Sequence, residues 1–303
     1  MNAPVKRPGP IAAWIMASRP RTLPASVSGV VVGSALAFFQ GGFRPLRALA
    51  ALVVALALQV ASNLANDVFD YERGADAKRS HGPTRVTQAG LLRPAEVKRG
   101  LLLVIAVAAL AGLWLSAVAD WRLLLFGLAA ILSAIAYTAG PFPLSYLGLG
   151  DLFVFIFFGV ASVVGTFYVQ VGRLDAAAFA MSVPPGLVIV AILVVNNLRD
   201  IDEDRATGKK TLAVRFGATF AKVEYLACII LAYLAVPVAA ALLLVPWWAM
   251  AGWLSLPLAI KNTRLVLNKQ GRELNAALGG TGLLSFSFAL LFALGLVAAR
   301  LSC

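Results

Sequence analysis

Charge is scarce in this chain, and negative charge is scarcest. Only 13% of its 303 residues are charged, and just 14 of those are acidic. About a quarter of the residues in a soluble globular domain are charged, so that class is excluded. The two cysteines, Cys228 and Cys303, are too few and too far apart for a disulfide framework or a thiolate metal site. The lone histidine, His81, has no partner nearby and reads as incidental. Alternating apolar and polar strands are missing, which argues against a membrane β-barrel. The first 20 residues carry basic charge but no separate apolar core ending in a small-residue cleavage site. They read as a cytoplasmic lead-in with an interfacial helix around 11–17, not as a signal peptide.

What the chain has is hydrophobic length. Sixty per cent of residues are hydrophobic and the mean hydropathy is +0.86. Nine apolar runs approach the roughly 20 residues needed to cross a bilayer, at about 22–41, 47–68, 99–119, 122–139, 149–170, 177–197, 219–238, 240–260 and 276–299. The expected fold is an all-α membrane protein of nine transmembrane helices, formed as a single domain over 1–303. With the N-terminus inside, 21 of the 26 Lys and Arg fall on the cytoplasmic side, leaving Arg44, Arg47, Arg122, Arg173 and Arg300 outside. This asymmetry orients the bundle and makes the net charge of +12 a topology signal, not a nucleic-acid footprint.

Against this background two acidic stretches stand out. Residues 63–76 and 197–210 together hold eight of the 14 acids, and each closes an apolar run. An acid at bilayer depth costs about 2.5–3.5 kcal/mol on insertion scales, so such groups carry a functional expectation. An offset of 134 residues aligns Asn63 with Asn197, Leu64 with Leu198, Asn66 with Asp200, Asp70 with Asp204 and Gly74 with Gly208. Each stretch follows an even number of spans, so both helices end on the same face, the mark of a parallel internal repeat. Asn63, Asn66, Asp67 and Asp70 fall at i, i+3, i+4 and i+7, one helical stripe, and Asn197, Asp200 and Asp204 repeat most of it. Hard oxygen ligands in this number suit Mg²⁺, which prefers a few carboxylates together with waters and substrate phosphates. The candidate metal set is Asn66, Asp67, Asp70, Asp76, Asp200 and Asp204. A solvated helix end is the plainer reading of one such stretch alone; two equivalent stretches argue for a site.

Cations suited to a diphosphate lie beside the acids. The first loop offers Lys78, Arg79 and Arg85, and the second offers Arg199, Arg205, Lys209, Lys210 and Arg215. Arg19 and Arg21 stand at the entry to the first span. Arginine forks match phosphate oxygens and lysine supplies a point charge. Of these, Arg85, Lys209 and Lys210 are the favoured substrate contacts.

At this point the chain resembles the UbiA superfamily of intramembrane aromatic prenyltransferases. The resemblance rests on Asn66-x-x-x-Asp70, Asp200-x-x-x-Asp204 and the nine spans. Four strings, 19–28, 63–76, 137–151 and 196–214, resemble the branch that prenylates 1,4-dihydroxy-2-naphthoate in menaquinone biosynthesis. The chain departs from the wider pattern at Gly74, where many members carry a further Asp, and after Tyr137, where other branches carry a Lys. The resemblance implies a central cavity opening laterally to lipid, capped by cytoplasmic loops at about 70–98 and 199–218, in a bacterial inner membrane. It implies two Mg²⁺ ions between the carboxylates and the diphosphate of a polyprenyl donor, with 1,4-dihydroxy-2-naphthoate as acceptor and CO₂ lost. Catalytic roles then fall to Asp67, Asp70, Asp200, Asp204 and Tyr137. Substrate binding falls to Asn63, Asn66, Arg19, Arg21, Arg85, Tyr146, Asn197, Lys209 and Lys210. Tyr71, Tyr137, Tyr146, Phe69 and Phe153 are aromatic candidates to shelter an allylic cation, although all read equally as packing residues, and for the phenylalanines packing is the preferred reading. Asp67 and Asp151 both remain open as the acid–base group. The rival readings are a hydroxybenzoate or tetrapyrrole acceptor within the same superfamily, and an ion-coupled secondary transporter, whose sites tend to lie nearer the midplane.

Overall fold

The computed structural model describes residues 8–74, 82, 85–136 and 146–302, and every regular element among them is helical. Helix α1 (Pro10–Ser18) is short and apolar on nearly every side. It covers the helix expected around 11–17 and buries Ala13 and Ala17 while exposing Ile11 and Ile15. Arg19 then turns through a left-handed conformation (φ 50°) into a 3-10 turn, and α2 (Leu23–Phe39) descends. Long helices α3 (Pro45–Glu72) and α4 (Pro94–Val118) pack on each other, followed by α5 (Leu123–Ala136). In the second half, α6 (Gly150–Val154) and α7 (Ser162–Val171) are joined by a π-helical segment, Phe155–Ala161. Helices α8 (Ala176–Arg199), α9 (Ile201–Ala206) and α10 (Leu212–Ala241) follow. A 3-10 stretch, Trp247–Ser255, leads to α11 (Leu256–Asn268) and α12 (Leu274–Ser302).

Seven of these runs are long and apolar enough to cross a bilayer: Pro10–Phe39, Pro45–Glu72, Pro94–Val118, Gly150–Val171, Ala176–Arg199, Leu212–Ala241 and Gly271–Ser302. The protein is an integral membrane protein. Two of the nine expected spans take other forms among the described residues. The fourth is represented by the 14 residues of α5, and the residues that follow it, 137–145, lie outside the described chain. The eighth, expected over 240–260, is broken. Pro246 caps the 3-10 stretch and Pro257 opens α11, each lacking the amide donor that a continuous helix would need there. The expected second cap loop also holds structure: α9 lies within it, and α10 begins before its end and kinks at Gly217 (φ 88°).

The internal repeat is visible in the packing. α3 pairs with α4 in the first half as α8 pairs with α10 in the second, and α2 meets α7 between them. Gly74 and Gly208, equivalent at the 134-residue offset, both take left-handed φ (71° and 77°) and end the two acidic helical stretches. At the α2–α7 seam, Gly29 and Gly33 sit four residues apart. A Cβ on Gly29 would lie 2.3 Å from Ser162 Oγ, and one on Gly33 would lie 2.5 Å from the Val163 carbonyl oxygen. Small residues at this spacing let backbones touch, which is how helices associate where lipid removes the hydrophobic drive. Burial concentrates in α2, α7, α8, α10 and α12, whereas α5 buries no residue at all.

Gly33→Leu should therefore wedge α2 from α7 at a cost of about 1–3 kcal/mol, typical of overpacking. A melting scan in detergent should show a clear drop in Tm. An unchanged Tm would show that the seam is softer than the contacts require.

Candidate active site

The two acidic stretches end together. Lys209 Nζ lies 3.7 Å from Asp70 Oδ2 and 3.7 Å from Asp204 Oδ1, so one ammonium bridges carboxylates contributed by the two halves of the repeat. Arg85 Nη2 donates to Asp70 Oδ2 at 3.0 Å, and both side chains are almost wholly buried. Asp200 is held by its neighbour: Arg199 donates Nε and Nη2 to the two carboxylate oxygens at 2.6 Å each. That guanidinium also donates to Asn196 Oδ1 and to Asn275 Oδ1. Buried charges demand such pairing, because removing one partner of a buried pair costs about 3–5 kcal/mol.

These groups form the head of a cavity of about 580 Å³. Arg19, Asn63, Asn66, Asp70, Arg85, Asn197, Asp200, Asp204 and Lys209, all named from the sequence, line it. The remainder is mostly apolar and extends along α3 as far as Ala51, 19 residues before Asp70. At 1.5 Å per residue that is roughly 28 Å, close to the thickness of a hydrocarbon core. Leu58, Leu113, Phe126, Ile131, Phe157 and Leu193 are among the residues on its walls.

Other candidates fall elsewhere. Asp67, on the same stripe as Asp70, does not line the cavity. Its Oδ2 accepts from the Val86 amide at 3.1 Å, and its Oδ1 accepts from the Thr87 amide at 3.0 Å and from the Thr87 hydroxyl. The structure thus gives Asp67 the work of fastening the segment that carries Arg85. Arg21 and Lys210 are exposed and also stand outside the lining. Tyr146 lies behind Lys209, with the ammonium 5.2 Å and the Arg73 guanidinium carbon 5.5 Å from its ring centroid. Burial, helped by Asp70, pushes its phenol up to about 12, so it stays protonated at neutral pH. Asp76 and Tyr137 lie outside the described residues, as do Lys78, Arg79, His81 and Cys303.

Asn63 has a structural task besides lining the cavity. Its Nδ2 donates to the Ser18 carbonyl at 2.9 Å and to Thr22 Oγ1 at 3.1 Å, and its Oδ1 accepts from Gln59. Those bonds bracket the left-handed turn at Arg19. Sequence reasoning missed Gln59 and Thr22, as well as Asn196. The i, i+4 spacing of Gln59 and Asn63 on α3 was the available signal. It also favoured packing for Phe153, yet Phe153 lines the cavity with Phe157 and Phe158 and stacks on Phe157 at 6.1 Å between centroids.

Fitness for a divalent cation can be judged from the donor set. Asp70 Oδ1 is buried without a hydrogen-bond partner, and a lysine ammonium bridges Asp70 and Asp204. Among the described residues no three Asp, Glu, His or Cys side chains gather into a closed metal cage. One or two carboxylates with open positions is the pattern that Mg²⁺ completes with waters and substrate phosphates. The residues fit such an ion.

A charged head on a deep apolar hollow, inside a helical membrane bundle, defines an intramembrane protein built for an amphiphilic anionic ligand. The chain belongs to the UbiA prenyltransferase family, whose sequence model matches residues 26–278. It is 42% identical over 267 residues to 1,4-dihydroxy-2-naphthoate octaprenyltransferase of Escherichia coli K12, covering 85% of each chain. It is 38% identical over 292 residues to the protein of the same name from Mycobacterium tuberculosis, covering 96% of this chain and 99% of that one. The fold is similar to that of a UbiA homolog from Aeropyrum pernix K1 (TM-score 0.69, 15% identity, 91% and 97% of the two chains). It is also similar to that of a UbiA homolog from Archaeoglobus fulgidus bound to GPP and Mg²⁺ (TM-score 0.63, 16% identity, 94% and 99%).

Asp67→Ala should leave the Val86 and Thr87 amides without acceptors at a cost of about 3–6 kcal/mol, since bonds to a charged acceptor contribute about 1.5–3 kcal/mol each. Hydrogen exchange at residues 86 and 87 should rise sharply in this variant. Unchanged protection would contradict the fastening role.

For Tyr146, the folded phenol binds its proton more tightly than the ordinary phenol near 10 of the unfolded chain. Its stabilising contribution is complete below pH 10 and fades as pH climbs towards about 12. Tyr146→Phe should remove that part of the alkaline loss of stability, read as Tm against pH.

Proposed function

We propose that this chain transfers a polyprenyl group from an allylic polyprenyl diphosphate to 1,4-dihydroxy-2-naphthoate, releasing diphosphate and CO₂ and giving demethylmenaquinol for menaquinone biosynthesis. The observation that carries the reading is the meeting of Asp70, Asp204, Lys209 and Arg85 at the head of an apolar cavity, in a chain whose relatives over most of its length bear that enzyme name.

The geometry suits the chemistry. Lys209 and Arg85 offer positive charge to the diphosphate, with Asn66 and Asn197 as neutral donors on the matching helices. Asp70 and Asp204, with Asp200 close by, would hold Mg²⁺, which supplies Lewis-acid stabilisation of the departing diphosphate. Loss of diphosphate leaves an allylic cation that water would quench. The apolar walls keep water out, and the faces of Phe153, Phe157 and Phe158 offer their negative quadrupoles to it. Arg19, braced by Asn63 and Thr22, is the cation for the acceptor carboxylate. The prenyl chain lies along the apolar part, where none of its CH₂ groups meets water, each of which would cost about 0.8 kcal/mol if exposed. The cytoplasmic membrane is the proposed setting, with the N-terminus and the acidic helix ends inside, as the 21-to-five split of basic residues favours.

Asp70→Asn and Asp204→Asn should each lower turnover by at least a hundredfold while the purified protein keeps its helical content by circular dichroism, although loss of a buried counter-charge should lower Tm. Chelation of divalent metal should silence the wild type. Offered naphthoate and hydroxybenzoate side by side, the enzyme should prenylate the first. Full activity in chelator, or preference for hydroxybenzoate, would overturn the reading.

A further inference from the structure

Among the described residues four acids line the cavity: Asp70, Asp151, Asp200 and Asp204. Three are paired with cations, Asp70 with Arg85 and Lys209, Asp200 with Arg199, and Asp204 with Lys209. Asp151 differs. No Lys or Arg among the described residues forms an ion pair with it, and its Oδ1 is buried with no hydrogen-bond partner. Asp151 lies in the first turn of α6, two residues before the cavity-lining Phe153 and on the helical run that also presents Phe157 and Phe158. Glu224 on α10 is near enough to interact with it electrostatically but does not line the cavity.

We infer that Asp151 is the acid–base residue of the transfer, an assignment that rests on the prenyl-transfer reading above. Asp67, the other carboxylate left open by the sequence, has both oxygens bound to the 86–87 segment and no access to the cavity. The three paired acids face cations and serve the diphosphate end. Asp151 alone offers a carboxylate oxygen to the hollow without a competing positive charge.

Ionisation of the donor breaks its C–O bond, and the electron pair leaves with diphosphate. The carbon bearing the acceptor's carboxylate attacks the allylic cation and forms the C–C bond, while a ring hydroxyl gives its proton to Asp151 and becomes a carbonyl. The carboxylate leaves as CO₂, and its bonding pair returns to the ring, restoring aromaticity. The oxygen formed takes the proton back from Asp151. The products are the prenylated quinol, CO₂ and diphosphate, with Asp151 regenerated and no external oxidant or base consumed. Position matters here: a base raises the nucleophilicity of the ring only if it reaches the hydroxyl while the cation exists.

Asp151→Asn keeps shape and removes the base, and Asp151→Glu restores the carboxylate. Each would be purified as the full chain and supplied with Mg²⁺, polyprenyl diphosphate and the naphthoate. Two readouts separate the steps: C–C bond formation in a single turnover, and scrambling of ¹⁸O between bridging and non-bridging positions of the donor's diphosphate, which reports ionisation alone. Asp151→Asn should slow C–C bond formation by a hundredfold or more, within the 10²–10⁴ range of general acid–base catalysis. Scrambling and donor binding should persist, and Asp151→Glu should recover at least a tenth of the rate. Wild-type bond formation in Asp151→Asn, or equal loss of scrambling and bond formation, would overturn the assignment while leaving the transferase reading intact. Absence of transfer by the wild type would instead remove the reading beneath it.

Discussion

Opposite charges buried together in a lipid-embedded hollow are the constraint on which the rest of this structure depends. Asp70 and Asp204 come from helices far apart in sequence, and neither tolerates a low-dielectric setting without a counter-charge. Lys209, shared between them at equal distances, meets that demand for both. The sharing also fixes the relative placement of the two repeat halves at their polar ends. Around it, smaller fastenings follow: Asp67 ties down the segment bearing Arg85, Asn63 braces the turn at Arg19, and Tyr146 backs the lysine with its ring. The backbone joins in, with the Lys210 amide donating to the Tyr146 carbonyl at 3.0 Å and Arg215 reaching the Leu147 carbonyl.

The repeat has diverged in how it uses equivalent residues. Asn63 spends its amide on the Ser18 and Thr22 turn, whereas its counterpart Asn197 faces the cavity from α8 with no such clamp. Asn66 is matched by Asp200, whose two oxygens are taken by Arg199. Of the described polar residues on the two stripes, Asp70 and Asp204 keep the same task on both sides. A duplicated frame therefore supplies one symmetric pair at the centre, flanked by side chains that each half has put to separate use.

Much of this was legible from periodicity. The stripe at 63, 66 and 70 and its copy at 197, 200 and 204 lie on helices because apolar length and helical spacing leave no alternative in a bilayer. The convergence of Asp70 with Asp204 follows from their equal position at the ends of like-directed spans. Asp67 shows where the reasoning stops. One residue around the helix from Asn66, it has the same chemistry as Asp70, and only the path of the 85–87 segment decides that it faces a loop. The same holds for Lys209 and Lys210, adjacent and identical, of which one faces the cavity and one faces out. The eighth apolar run failed differently: its composition suited a span, but Pro246 and Pro257 cut its hydrogen-bond ladder into a 3-10 stretch and a shorter helix.

The bare seam of Gly29 and Gly33 against α7 reaches further than its two residues. Where main chain rests on main chain, nothing compressible lies between the halves, so the gauge of the hollow is set by atomic radii. A relative that must admit a bulkier guest has little room to widen the frame. It must trim the walls instead, one side chain at a time, which directs variation among such proteins towards the lining and away from the joint.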